Sequence, residues 1–292
     1  MGIAALAPPT EPSGAMTLSS NPAALAFDAI APQFDARFGA WSSVAAQRRA
    51  VRAALLREFP AGGKILELGG GTGEDAAFLA SRRFQVLLTD PSPAMVSLAN
   101  KKIAPLGSSA EILAAEDMEN FAERKLAVGS ELFDGCFSNF APLNCVADLR
   151  PVARGLARLL KPGAPAMLVI FGIVCPGEMV TELLRGRPQN VLRRLQHGSA
   201  AARLAGRDFN MVYHRRADLL RSFAPWFRLE KRLGIGIAVP PSAAEPWITL
   251  HPRLLASMEA IDHLVARPLA GLGDHMLYQF RRTQIDAPLR RI

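Results

Sequence analysis

The sequence predicts an α/β fold, a mostly parallel sheet carrying its functional residues at the strand ends, and three observations support this. The first is the segment 64–74, Lys-Ile-Leu-Glu-Leu-Gly-Gly-Gly-Thr-Gly-Glu, where a short apolar run ends in an acid and turns through closely spaced glycines. Glycines there let the backbone turn sharply and leave it open to a ligand. The second is 84–90, Phe-Gln-Val-Leu-Leu-Thr-Asp, an apolar run ending in an acid about 20 residues later, the interval of a strand-helix-strand unit. The third is Met167-Leu168-Val169-Ile170-Phe171, a near-continuous apolar run of the kind found in a parallel strand covered on both faces.

Composition bounds the rest. With 292 residues, 50% of them hydrophobic, the chain is long enough for one well-buried α/β domain plus a smaller addition. No run approaches the roughly 18 apolar residues of a membrane span. The start, Met1-Gly2-Ile3-Ala4-Ala5-Leu6-Ala7, has no basic region before its apolar stretch, so a signal peptide is not expected and a cytoplasmic location is. Cys136, Cys145 and Cys175 are odd in number and lack Cys-x-x-Cys spacing. They read as small buried hydrophobes in a reducing compartment, with no zinc or disulfide framework.

The net charge of +8 is uneven: eight arginines fall between Arg185 and Arg216, and Arg281, Arg282, Arg290 and Arg291 lie near the C-terminus. A phosphate-gripping surface would interleave aromatics for stacking, but residues 185–207 contain none. A solvated arginine-rich face is therefore expected, and nucleic acid is not expected as a partner.

Along the chain, residues 1–20 are rich in Pro, Ala, Ser and Gly without periodicity and read as a disordered tail. Residues 21–60 read as a helical lid. Asn21-Pro22 is a helix start, Phe27, Ile30, Phe34 and Phe38 share one face of a helix over 24–38, and a second helix spans 44–59. The glycine turn then opens the main domain, 61–292. A dinucleotide site requires Gly-x-Gly-x-x-Gly, but counting from Gly69 gives Gly71 and then Glu74, so the spacing excludes it. After the acid of the second strand, Ser92 caps a helix and Met95 is placed to lie against a purine. A third strand at 111–115 ends at Glu116-Asp117-Met118, and a fourth at 132–137 ends at Ser138-Asn139-Phe140. An amphipathic helix over 147–160 stops at Lys161-Pro162-Gly163, before a fifth strand at 166–174.

Taken in order, Glu67-x-Gly69-x-Gly71-x-Gly73, the acid Asp90, the Glu116-Asp117 pair and Leu160-Lys161-Pro162-Gly163 resemble the motifs of class I S-adenosylmethionine-dependent methyltransferases over residues 60–172. The resemblance implies a Rossmann-like seven-stranded sheet with strand seven antiparallel, helices on both faces, and helical insertions roofing the site. It also implies S-adenosylmethionine as cofactor and S-adenosylhomocysteine as product. The implied cofactor residues are Glu67, Gly69, Gly70, Gly71, Gly73, Asp90, Pro91, Met95, Glu116, Asp117, Met118, Ser138 and Asn139. Phe34 joins them because Phe27-x-x-x-Ala31-x-x-Phe34-Asp35 is similar to the family's N-terminal cofactor-covering helix, with phenylalanines where tyrosines are usual.

An antiparallel seventh strand would put two insertions, 176–214 and 240–273, over the ligand edge. The first reads as helical through 205 with a short strand at 208–214, and the second holds a helix at 253–266. Their apolar residues Met179, Val180, Leu183, Leu184, Pro240, Pro241, Trp247, Ile248 and Leu250 suggest a small, largely apolar acceptor. No Asn-Pro-Pro-Tyr or Pro-Cys pair stands where nucleobase-modifying enzymes need one, and Asp134 sits too early in its strand for a metal site, so no metal is expected. His275, beside Asp274 at the start of the seventh strand, is the leading general base, with Tyr213, Asn139, His214 and Asn144 as rivals. Two alternatives remain: an RNA or protein methyltransferase using the Arg185–Arg216 cluster, and a non-catalytic cofactor-binding regulator. Oligomeric state is left open.

Overall fold

The computed structural model describes residues 21–195 and 198–285, so the expected tail at 1–20 lies outside the described residues. Two helices come first, α1 (Pro22–Phe38) and α2 (Ser42–Glu58). The first begins as its sequence directs: Asn21 accepts from the Ala24 N–H at 3.0 Å, and Pro22 needs no partner for its nitrogen. Alternating strands and helices follow: β1 (Lys64–Leu68), α3 (Glu74–Ala80), β2 (Gln85–Asp90), α4 (Pro93–Ile103), β3 (Ser109–Ile112), α5 (Met118–Ala127), β4 (Gly135–Ser138), α6 (Arg150–Leu159) and β5 (Pro165–Phe171). The remainder comprises α7 (Pro176–Leu184), β6 (Ser199–Leu204), β7 (Arg207–Val212), α8 (Arg216–Phe223), β8 (Phe227–Ile235), α9 (Glu245–Ile248), α10 (Pro252–Val265) and β9 (His275–Arg282).

Seven strands form one sheet in the order β3-β2-β1-β4-β5-β9-β8, all parallel except β9, which runs antiparallel to both neighbours. Apolar side chains fill both faces. One cluster packs α5, α6 and α8 on the sheet, and the other packs α2, α3 and α4. β5 is buried along nearly its whole length, which explains its unbroken apolar run. Among the described residues no helix is long and apolar enough to cross a membrane.

Strand ends move by a few residues from expectation. The third strand is Ser109–Ile112 and the fourth Gly135–Ser138, the latter preceded by an isolated bridge between Phe133 and Leu160. Asp134 lies at the amino end, where it accepts from Lys161 Nζ at 2.6 Å and the Lys64 N–H at 2.8 Å.

The first insertion departs more. Residues 199–204, expected as the end of a helix, pair with 207–212 as a two-stranded hairpin. Ala205 and Gly206 sit at φ 51° and 76°, and this two-residue left-handed turn overrides the helical preference of the alanines before it. The hairpin packs on α1, with Phe27 and Phe209 centroids 6.1 Å apart. Most of the second insertion packs beside the site rather than over it. Ile248 is buried with Ala46, Val239 and Leu255 in a separate small cluster against α2, and α10 reaches α2 through Arg49 and Glu259.

Candidate functional site

The parallel strands end along one edge of the sheet, and there the glycine turn, α1, α2, the hairpin and the start of β9 enclose a cavity of about 530 Å³. Its floor is made by the turn after β1. Gly69 and Gly71 have φ of 64° and 56°, a conformation that side-chain-bearing residues adopt at a cost. They differ in surroundings. A Cβ on Gly69 would fall 2.3 Å from the Pro142 side chain, whereas one on Gly71 would meet nothing within 4 Å. Gly69 is thus required by packing, and Gly71 leaves its backbone bare beside the cavity it lines.

Asp90 closes the second strand end. Its two oxygens accept from the Gly71 and Ser92 N–H groups, each at 2.9 Å. Burial raises its carboxyl to about 6 despite those two donors. Ser92 caps α4 by accepting from the Met95 N–H, and its own hydroxyl donates to Asp28 of α1 at 2.7 Å. Asp28 also accepts from the Ala94 N–H, and Asp35 accepts from Thr72 Oγ1 and Lys102 Nζ. The N-terminal helix is therefore tied by carboxylates to the turns after β1 and β2. Asp28 and Asp35 each follow a phenylalanine of that helix's aromatic face, and no local pattern in the sequence marks them as ties to the two turns.

Glu67 is fully buried, and its Oε2 has no partner among the described residues. Burial, then the neighbouring Asp75 charge, push its carboxyl well above the usual range. Asp75, at the start of α3, accepts from Arg48 (2.7 Å), Arg52 (2.6 Å) and the Asn139 amide (2.8 Å). The opposite wall is aromatic: Phe27, Phe34 and Phe38 from α1, Trp41, Phe209 from the hairpin, and Phe171.

The structure sorts the expected residues. Phe34, Glu67, Gly69, Gly70, Gly71, Asp90, Pro91, Met95, Glu116 and Asn139 line the cavity. Gly73, Asp117, Met118 and Ser138 do not. Gly73 lies against Ala99, Met118 is buried in the core with Phe121, and the Ser138 hydroxyl donates to the Leu68 carbonyl.

Among the proposed bases only His275 and Asn139 reach the cavity. The Asn139 amide is committed to Asp75 and to the Phe140 N–H. Tyr213 packs behind Phe171 at 6.1 Å between centroids, and His214 binds the Leu143 and Val146 carbonyls through Nε2. Asn144 joins the Val212 carbonyl to the Phe171 N–H. His275 stacks on Phe171 at 4.8 Å and meets Phe140 edge-on at 5.7 Å. The strand end that carries Phe140 is unusual, since Phe140 and Ala141 both have positive φ (58° and 64°).

The arginine cluster is not one solvated face. Arg194 is 6% exposed. It pairs with Glu178 and with Asp274 Oδ1 (2.7 Å), and it donates to the Gly172 and Asp274 carbonyls. Arg193 also pairs with Glu178. Burial would raise the Asp274 carboxyl, but His275 and Arg194 hold it below the usual carboxylate range. The expected apolar roof is likewise corrected. Val180, Leu183, Leu184, Trp247 and Leu250 face outward; of the expected roof residues in the second insertion Pro241 lines the cavity, joined there among the described residues only by Ser242.

A sheet of this order, with a glycine turn at β1 and an acid at the end of β2, is a Rossmann-like fold. Residues 65–163 match a family model described as a methyltransferase domain. Over 163 residues the chain is 32% identical to the biotin biosynthesis bifunctional protein BioHC of Cellvibrio japonicus, covering 55% of this chain and 30% of that protein. The chain thus matches less than a third of that relative's length. The fold is shared with the CcbJ methyltransferase of Streptomyces caelestis, at 16% identity, TM-score 0.52, and coverage of 88% of this chain and 98% of that one. It is shared also with DhpI in complex with S-adenosylhomocysteine, at 17% identity, TM-score 0.51, and coverage of 92% and 98%.

The residues present fit S-adenosylmethionine. The orphaned oxygen of Glu67, the bare backbone at Gly71 and the Asp90 carboxylate offer acceptors to a cationic, hydroxyl-bearing ligand.

Proposed function

We propose that the protein transfers the methyl group of S-adenosylmethionine to an oxygen, nitrogen or carbon of a small, largely apolar acceptor, with His275 as general base. The observation that carries this reading is the single cavity running from the glycine turn to the aromatic wall. Its volume lies within the roughly 300–1,000 Å³ typical of small-ligand sites. The relative named for biotin biosynthesis also acts in making a small molecule, in agreement with this reading.

The bound cofactor supplies a methyl group on a sulfonium, already activated for in-line displacement. The protein then has to orient the acceptor, exclude water and accept a proton. Phe27, Phe34, Phe171 and Phe209 supply apolar walls that desolvate the acceptor. The His275 ring, pinned between Phe140, Phe171 and Gln47, has Nδ1 engaged and Nε2 left to take a proton from the acceptor's nucleophilic atom.

The test is to incubate the protein with methyl-labelled S-adenosylmethionine and a panel of phenols, quinols and amines, beside the His275→Gln variant. Labelled product is expected from an apolar acceptor, with turnover roughly 10²-fold lower in the variant at unchanged S-adenosylhomocysteine affinity. Turnover within a few-fold of the parent removes the base role. Binding of structured RNA with a steep salt slope, lost on charge reversal at the exposed Arg203 and Arg207, would favour the nucleic-acid alternative.

A further inference from the structure

Four segments distant in sequence meet behind His275. Asp274 Oδ1 receives Arg194 Nη2 at 2.7 Å, while Oδ2 receives Gln47 Nε2 at 3.2 Å and lies 3.4 Å from His275 Nδ1. The other end of the same amide, Gln47 Oε1, lies 3.1 Å from His275 Nδ1. Arg194 in turn is anchored on Glu178 of α7 and on the Gly172 carbonyl that ends β5. Space for this contact exists because residue 236 is glycine: a Cβ there would fall 2.6 Å from Gln47 Nε2.

Each link decides the next. A guanidinium bound to Asp274 keeps that carboxylate ionised. An ionised carboxylate can only accept, so the Gln47 amide turns its NH₂ toward Asp274 and its carbonyl toward the imidazole. Nδ1 then faces two acceptors, and in the neutral ring it must carry the proton. Nε2, which has no partner among the described residues, keeps the lone pair.

We propose that Arg194, Asp274 and Gln47 are positioning residues that set His275 in its Nδ1–H tautomer, with Nε2 presented to the cavity as the proton acceptor. The proposal rests on the reading of His275 as a base. All three line the cavity beside His275 and act in this scheme through its imidazole. The α2 helix thereby enters the chemistry, since Gln47 is the only link of the relay outside the main domain.

His214 is an internal reference of opposite sign, because its Nε2 faces the Leu143 and Val146 carbonyls and so carries the proton. The experiment uses the full chain labelled with ¹⁵N at its five histidines. Long-range ¹H–¹⁵N spectra are recorded across pH, with His275 assigned through His275→Gln. At high pH, His275 is expected to show an unprotonated Nε2 and His214 a protonated one. Gln47→Leu combined with Asp274→Asn removes the amide and the carboxylate that face Nδ1, and should bring in the second His275 tautomer while the His214 signals, reporting the fold, stay in place.

Gln47→Glu keeps an acceptor on Nδ1 and should hold the Nδ1–H tautomer. The other groups near the ring are Asp274, Arg194, Glu178 and Cys175, together with Arg48 across Phe140; all are unchanged in that variant. A parent protonated at Nε2, or one unchanged tautomer in the double variant Gln47→Leu/Asp274→Asn, would overturn the relay. Calorimetry with S-adenosylhomocysteine runs in parallel. Absent binding with the tautomer intact removes the methyltransferase reading, whereas normal binding with the wrong tautomer removes only the relay.

Discussion

At the glycine turn the cavity is bounded mainly by backbone and by two acids at strand ends, all contributed within residues 67–92. At the other end it is bounded by side chains from α1, α2, the hairpin and the start of β9, more than 200 residues apart at the extremes. A floor made of φ angles and N–H groups is specified locally. A wall made of side chains depends on every element that brings them together. The two regions should therefore respond differently to substitution.

The largest effect belongs to the wall. Arg194→Met leaves the carboxylates of Glu178 and Asp274 buried with fewer partners, and stability should fall by about 3–5 kcal/mol, read by urea denaturation. On the floor, Gly69→Ala forces a Cβ into Pro142 at an unfavourable φ and should cost roughly 2–4 kcal/mol of stability. Gly71→Ala, with open space around it, should cost only about 1–2 kcal/mol in folding while weakening S-adenosylhomocysteine binding. Equal stability losses in the two glycine variants would break the distinction between packing and ligand approach.

Asp90→Ala should lower S-adenosylhomocysteine affinity by about 1.5–3 kcal/mol through lost hydrogen bonds to a charged group. Because the Asp90 carboxyl sits near 6, binding that needs the carboxylate should weaken as pH falls through that value, and Asp90→Asn should lack this part of the slope. The stability contribution has its own sign. A folded value raised above 3.8 means the folded state holds the proton more tightly, so this group's contribution is largest in acid and is lost as pH rises between about 4 and 6. Smallest of all is Leu184→Ser. That side chain is 84% exposed, and the change should stay within about 0.5 kcal/mol and leave cofactor affinity alone. A large loss of acceptor turnover in this variant would return α7 to the roof.

The glycine turn, the acid ending β2 and the Ser92 cap were legible because each rests on residues adjacent in the chain, whereas the antiparallel last strand followed only from the family resemblance. The β6–β7 hairpin was not legible. Its alanines carry no strand signature, and pairing across a two-residue turn outweighed their helical preference. The same limit applied to the arginines. Nothing beside Arg194 in the chain distinguishes it from Arg187, and Glu178, sixteen residues earlier, together with Asp274, eighty later, makes it a buried ion-pair partner.

The sequence by itself determined a parallel sheet with a ligand edge, a turn open to S-adenosylmethionine and acids at the strand ends, since backbone conformation and strand periodicity are local properties. Only the tertiary structure decided which apolar residues face the cavity, which histidine reaches it and what surrounds its ring. Those outcomes depend on pairing across long loops, where burial and the satisfaction of charge outweigh the preference of any single segment.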